Sequence, residues 1–360
     1  MFPPKAGATA RARIRGSNEV MKLIELEDAL RDAGEAGRVA LALAAAGREV
    51  AGLLADGPPA AEAESRATGC MLDALRAAPV RLATAAALRE PVRLDPAAGL
   101  AVAVDALDGA SNLDAAAPTG TVFSILPALP ALDAADAASD EAHFLQPGAR
   151  QLAAGVLIYA ARTALALTLG DGTRVFTLDR ASGRFLARAE PARVPAETRE
   201  FAVNGANWRH WDEPVRRYVT HCLMGAPGPR GVDFNTRWLG ATCGEAFRIL
   251  ARGGVYLYPG DARPGLEQGR LRLVHAANPV ALLVEQAGGL ATDGRHRILD
   301  LVPRALHQRA PLVFGSAREV ERVRAAYEDD RGAASHPLFT SRTLFRGGAA
   351  VPFGLSIPCP

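Results

Sequence analysis

The chain has 360 residues, 49% hydrophobic and 22% charged, the composition of a globular protein with one large core or two smaller ones. Its 41 basic side chains nearly balance 39 acidic ones, and a net charge of +2 gives no footing for nucleic acid or an anionic membrane as a partner. The four cysteines (Cys70, Cys222, Cys243, Cys359) show no CxxC spacing, which argues against a zinc site or a disulfide framework and for reduced thiols in a cytoplasmic protein.

The chain begins with MFPPKAGATARARIRGSNEV, which is basic but leads into no apolar signal region, and residues 1–20 read as a disordered arm. No apolar run reaches the roughly 18–20 residues that span a bilayer, so no membrane segment is expected. Over residues 22–55, Leu23, Leu26, Leu30, Val39, Leu43, Val50 and Leu54 fall at helical spacing and predict two helices broken near Gly34 and Gly37. A further helix is predicted over 61–78. Leu100–Val104 is a buried strand ending in Asp105, and 121–127 is another. Residues 128–150 read as a surface loop. Residues 152–169 form two strands with a break near 160–162, and Gly170-Asp171-Gly172 turns the chain into a return strand over Thr173–Leu178.

A second unit begins near 196. It contains strands at Phe201–Val203, Val255–Tyr258 and Pro311–Gly315, and helices at Pro214–Leu223, Glu245–Arg252 and Pro279–Ala287. A short helix starts at Ala317. Strands alternating with helices in two units predict an α/β layered architecture. The divisions are 21–195, 196–330 and a tail over 331–360.

The strongest local motif is Asp105-Ala106-Leu107-Asp108-Gly109-Ala110-Ser111-Asn112. A strand end that delivers two carboxylates three residues apart suits a hard cation, and the amides of Gly109, Ala110 and Ser111 can form an anion cradle. Together they suit metal-assisted hydrolysis of a phosphate ester. The same residues also read as an aspartate-rich turn in which Asp105 caps a helix and Asp108-Gly109 makes the bend.

VDALDGASNLD followed by TGTVFSI closely resembles the signature of class I fructose-1,6-bisphosphatases. The likeness continues through NWRHWDEPVRRYV, GPRGVDFNTRWLG, RILARGGVYLYPGDARP, GRLRLVHAANPVALLVEQAGGLATDG and ILDLVPRALHQRAPLVFGS. It covers roughly residues 97–325 and is weak before them. The resemblance implies a layered sugar-phosphatase fold (an αβαβα sandwich with mixed sheets), a homotetramer and Mg2+ or Mn2+ as cofactor. It implies release of the 1-phosphate of fructose 1,6-bisphosphate, with sedoheptulose 1,7-bisphosphate as a related substrate. By motif position Asp105, the Leu107 carbonyl and Asp108 match metal ligands, with Asp105 and Asp108 catalytic. Asp108, Gly109, Ala110 and Ser111 match the 1-phosphate loop. Asn204, Arg237, Tyr258 and Arg270 match the pocket for the sugar 6-phosphate, the family's Arg237 equivalent reaching in from a neighbouring subunit. Guanidinium groups grip phosphate bidentately, which fits Arg237 and Arg270 to that role.

The departures from the family pattern concern the metals. Ala276 stands where the family has a metal-binding glutamate, and Leu82–Leu88 carries no carboxylate where the family has a Glu-Glu pair. Gly69-Cys70 falls where it has Asn-Asp. Ala110 replaces a serine, Arg270 a lysine, and Asn207 and Trp238 two tyrosines. Glu62, Glu64, Glu90 and His275 are the available stand-ins. Loss of one essential ligand or acid–base group commonly costs about 10²–10⁴ in rate. Two readings follow: a metal-dependent bisphosphatase with impaired turnover, or a degenerate pseudo-phosphatase that binds sugar phosphate and pairs with an active paralogue. An inositol phosphatase would not share the blocks over 200–316.

Overall fold

The computed structural model describes residues 23–129 and 137–335. The arm expected over 1–20, Cys359 and the tail beyond Ser335 lie outside the described residues, as does part of the loop expected over 128–150.

Small and β-branched apolar residues dominate the first half, and they pair into a nine-stranded mixed sheet. Its strands are β1 (Leu23–Glu25), β2 (Leu82–Ala85), β3 (Val92–Arg93), β4 (Leu100–Asp108), β5 (Thr119–Pro127), β6 (Ala153–Tyr159), β7 (Thr163–Thr168), β8 (Thr173–Asp179) and β9 (Arg184–Arg188). They lie in the order β1-β9-β8-β7-β6-β5-β4-β2-β3, with β2 parallel to β4 and every other pair antiparallel. A second sheet has the order β11-β10-β12-β16-β14, from β10 (Glu200–Ala202), β11 (Asn235–Thr236), β12 (Val255–Tyr258), β14 (Leu290–Thr292) and β16 (Leu312–Gly315). A two-stranded ribbon joins β13 (Leu271–Arg272) to β15 (Arg309–Ala310).

The helices are α1 (Leu26–Ala29), α2 (Gly34–Ala55), α3 (Ala60–Arg76), α4 (Ala137–Ala142), α5 (Glu213–Leu223), α6 (Thr242–Arg252), α7 (Asn278–Gln286) and α8 (Ala317–Ser335). Along β6, Ala153 and Leu157 pack into the core shared with α2 and α3, while Ala154 and Val156 face the core shared with α6 and α7. β7 alternates in the same way, with Leu165 and Leu167 on one side and Ala166 on the other. A sheet covered on both faces explains why its strands read as continuous apolar runs and not as alternating ones. The core of α6 and α7 also takes in Tyr256 and Phe314 of the second sheet. The outer face of that sheet, with Phe201, Val255 and Val313, is closed by Val215, Tyr218 and Val219 of α5 and Val320 and Val323 of α8. The five layers are thus α, β, α, β, α, the layered sandwich expected from the resemblance.

Local differences have physical causes. Leu23 has helical spacing to Leu26 and Leu30, yet it enters β1 because pairing with β9 satisfies its backbone. The break expected near Gly34 and Gly37 falls just before Gly34, between α1 and α2, and Gly37 lies inside α2. The residues 137–142 of the expected loop are helical. α8 runs to Ser335, longer than its charged sequence suggested, because Val320, Val323 and Tyr327 form a narrow buried stripe.

Candidate active site

The strand expected to stop at Asp105 continues to Asp108, and its register against β5 shifts between these two residues. The shift is a bulge that leaves both aspartates at the C-terminal end of one strand. Thr121 of β5 holds it from beneath, its hydroxyl donating to the Ala106 carbonyl at 2.8 Å and lying 2.8 Å from the Tyr159 hydroxyl. Gly109 then takes φ +76° and starts a 3-10 turn over Ala110–Ala115, so Gly109, Ala110 and Ser111 lie at a turn start where free N–H groups gather. A Cβ at Gly109 would stand 2.5 Å from the Ala241 Cβ, so this position requires glycine for space as well as for torsion. Asn112 is drawn away from the cradle: its amide donates to the Pro118 and Leu239 carbonyls, each at 2.9 Å, and ties the turn to the second half of the chain.

The partner of this turn is the start of α6, which begins at Thr242, three residues before the helix expected from sequence. The Cys243 N–H donates to Asp108 Oδ2 at 2.7 Å. A carboxylate at a helix N-terminus is well placed electrostatically. Burial nevertheless raises the Asp108 carboxyl above its ordinary range. Burial and the neighbouring Asp108 push Asp105 up to about 7, against the partial relief given by the Arg272 guanidinium. Two carboxylates in so little water repel each other, and a hard cation between them would relieve the repulsion. The donor set of Asp105, Asp108 and the Leu107 carbonyl therefore fits one such ion.

It is a sparse set. Among the described residues no three His, Cys, Asp or Glu side chains gather where they could hold a metal. β2 runs parallel to β4 with Ala85 opposite Val104, and the Ala86 N–H donates to the Val104 carbonyl, so small apolar residues flank the approach to Asp105. Glu64 is exposed, yet its charge reaches Asp105. Glu62 pairs with Arg66 at the surface, and Glu90 is exposed. Ala276 and His275 sit in a buried π-helical turn (Leu273–Ala277) before α7. His275 is stacked on His307 (5.4 Å between centroids, 7° between planes) and its Nε2 lies 3.4 Å from Thr84 Oγ1. Burial, His307 and Arg272 push the imidazole down to about 3, so it is neutral at physiological pH.

A wall of stacked rings leads away from Asp108. Trp238 stacks on Tyr256 (5.6 Å, 13°) and on Tyr258 (6.0 Å, 24°). Beyond it lies a narrow, partly open cleft lined by Asn204, Asn207, Tyr258, Asp261 and Arg270 among others. Asn204, Tyr258 and Arg270 thus share one cleft, and Arg237 does not line it. Arg237 instead gives its Nε to Glu200 Oε1 at 3.0 Å, with its side chain about half exposed. Asp261 is compensated by Arg263, which also donates to Asn207 Oδ1 at 2.9 Å. Sequence reasoning missed Thr121, Cys243 and Glu200. Only the early start of α6 had a local cue, the Gly240-Ala241-Thr242 break before the helix.

The family model "Fructose-1-6-bisphosphatase, N-terminal domain" matches residues 85–190, and "Fructose-1-6-bisphosphatase, C-terminal domain" matches residues 194–328. A class 1 fructose-1,6-bisphosphatase of Acidiphilium cryptum is 56% identical over 330 residues, covering 87% of this chain and 92% of the relative. One of Rhizobium meliloti is 50% identical over 276 residues, covering 76% and 78%. The crystal structure of Leishmania major fructose-1,6-bisphosphatase in apo form superposes with a TM-score of 0.79 at 25% identity, over 85% of this chain and 100% of that one. Among the described residues no helix is long and apolar enough to cross a membrane.

Proposed function

This chain belongs to the fructose-1,6-bisphosphatase family, and from that membership we propose its reaction in residue terms: hydrolysis of the 1-phosphate of fructose 1,6-bisphosphate to fructose 6-phosphate and phosphate. The observation that carries the reading is the continuity from the Asp105–Asp108 bulge, through the Tyr256, Trp238 and Tyr258 rings, to a cleft containing Arg270.

Arg270, Tyr258 and Asn204 hold the 6-phosphate, Arg270 as a fixed charge and the other two as donors. Arg237 belongs to the same task and, lying outside its own cleft, is delivered to the cleft of a neighbouring subunit in a homotetramer. The 1-phosphate then lies against the Gly109, Ala110 and Ser111 amides, which stabilise charge developing on its oxygens. Asp105, Asp108 and the Leu107 carbonyl are the groups that would hold Mg2+ or Mn2+, which when bound would supply Lewis acidity at the phosphate. The Cys243 N–H fixes the orientation of Asp108. Thr121 keeps the bulge in register.

A second reading has a specific observation behind it. With Ala85 and Ala86 beside Asp105 and Ala276 in the adjoining turn, the site has two carboxylates where the family motif supplies more. On that reading the chain binds sugar phosphate and turns it over poorly, as a partner of an active paralogue. Magnesium-dependent phosphate release from fructose 1,6-bisphosphate separates the two, measured beside an Ala276→Glu variant. Release by the parent, raised about 10-fold or more in the variant, supports an enzyme limited by its metal site. Undetectable release by both proteins would reject the enzymatic reading.

A further inference from the structure

Glu200 starts β10, in register with Asn235 of β11, so Arg237 lies directly beside it and donates its backbone N–H to the Phe201 carbonyl at 2.9 Å. Both Glu200 oxygens are engaged. Oε1 accepts Arg237 Nε at 3.0 Å, while Oε2 accepts Arg248 Nη1 at 3.2 Å and pairs with Arg252 Nε at 3.6 Å. Arg248 is buried and also gives its Nε to Glu245 Oε2 at 2.8 Å. The other oxygen of Glu245 accepts the Leu239 N–H at 2.8 Å. The chain on either side of Trp238 is therefore pinned, at Arg237 by β10 and at Leu239 by Glu245, and Trp238 itself is clamped in the ring stack.

Within this network three guanidinium groups face two carboxylates, so one positive charge is left uncompensated. Arg248 is almost fully buried at 4% exposure, whereas Arg237 (48%) and Arg252 (55%) are both exposed, so an incoming anion can reach the network at either; of the two, Arg237 is the one next to Trp238 of the ring stack. The contact with Glu200 uses Nε, and among the described residues no other hydrogen bond is made to the Arg237 side chain. Both terminal nitrogens stay available for a fork-shaped grip. A free arginine side chain loses much rotamer freedom on binding, and a side chain already oriented loses less.

We propose that Glu200 is a positioning residue for substrate binding: it holds Arg237 by Nε, backed by Arg248 and Glu245, so that its terminal nitrogens face the far phosphate of the sugar. This rests on the reading of Arg237 as a ligand of that phosphate, whichever subunit's cleft receives it. The test is a double-mutant cycle of Glu200→Gln and Arg237→Ala in the full chain. The readouts are fructose 6-phosphate affinity by calorimetry, and KM and kcat for the bisphosphate. Arg237→Ala is expected to weaken binding about 10- to 100-fold, the loss of a charge-assisted hydrogen-bonded grip. Glu200→Gln is expected to weaken it about 5-fold, with the change in KM and not in kcat, and to have no further effect once Arg237 is alanine. An equal effect of Glu200→Gln in both backgrounds would mean a general structural role and overturns the proposal. So does unchanged affinity in Glu200→Gln while Arg237→Ala is weakened. Unchanged affinity in Arg237→Ala rejects the phosphate reading of Arg237 and the positioning role with it.

Discussion

Replacing Asp105 by asparagine should stabilise the metal-free protein while disabling it. In the fold the Asp105 carboxyl is raised from its ordinary 3.8 to about 7, first by burial and then by Asp108, with Arg272 in partial opposition. A folded value above the unfolded one means that this group's contribution is fully present below about pH 4 and is lost as the pH rises to about 7. Some three units at about 1.4 kcal/mol each set an upper limit of about 4 kcal/mol on the penalty at neutral pH. Asp105→Asn keeps the shape and removes the charge. At roughly 2 °C per kcal/mol for a protein this large, the variant should melt up to about 8 °C above the parent near pH 8 without metal. The gap should close near pH 4, where the parent is protonated, and magnesium should narrow it near pH 8 by stabilising the parent alone. Magnesium-dependent phosphate release should fall at least about 100-fold. Paired melting curves at several pH values, with and without magnesium, check the reasoning. A variant that melts below the parent near pH 8, or a gap that does not change with pH, would refute it.

His275 should make the protein acid-sensitive. Its folded value, about 3, lies below the ordinary 6.5, so its contribution is present above about pH 6.5 and is lost as the pH falls. Between about pH 7 and pH 5, His275→Gln should lose about 2 kcal/mol less stability than the parent, read from urea unfolding; parallel losses would disprove the assignment. Gly109→Ala combines a left-handed torsion with a clash against Ala241 and should cost about 2–4 kcal/mol, with phosphate release abolished. A variant that is stable and active would show that the turn can open without separating Asp108 from α6.

Much of the architecture was legible because it depends on local patterns. The apolar runs at 100–104 and 152–169 and the Gly170-Asp171-Gly172 turn needed only side-chain size and torsional preference to place strands and a hairpin. α5 announced itself through Val215, Tyr218, Val219 and Cys222 on one face. The motif from Asp105 to Asn112 was visible for the same reason, since two carboxylates and a glycine three to four residues apart are a local fact.

What the chain order could not reveal is which distant groups meet. Asp108 is held by an N–H 135 residues away, at a helix start that looked like loop because its apolar face depends on both sheets. Arg237 reads as one more phosphate-binding cation until β10 brings Glu200 against it and leaves it outside the cleft that contains Arg270. Ala86 and Ala276 acquire meaning only from β2 running beside β4 and from the buried turn before α7. Composition and periodicity decide which segments must bury a face. Only packing decides which polar groups share the resulting space, and electrostatic energy in that space depends on separations that no local pattern encodes.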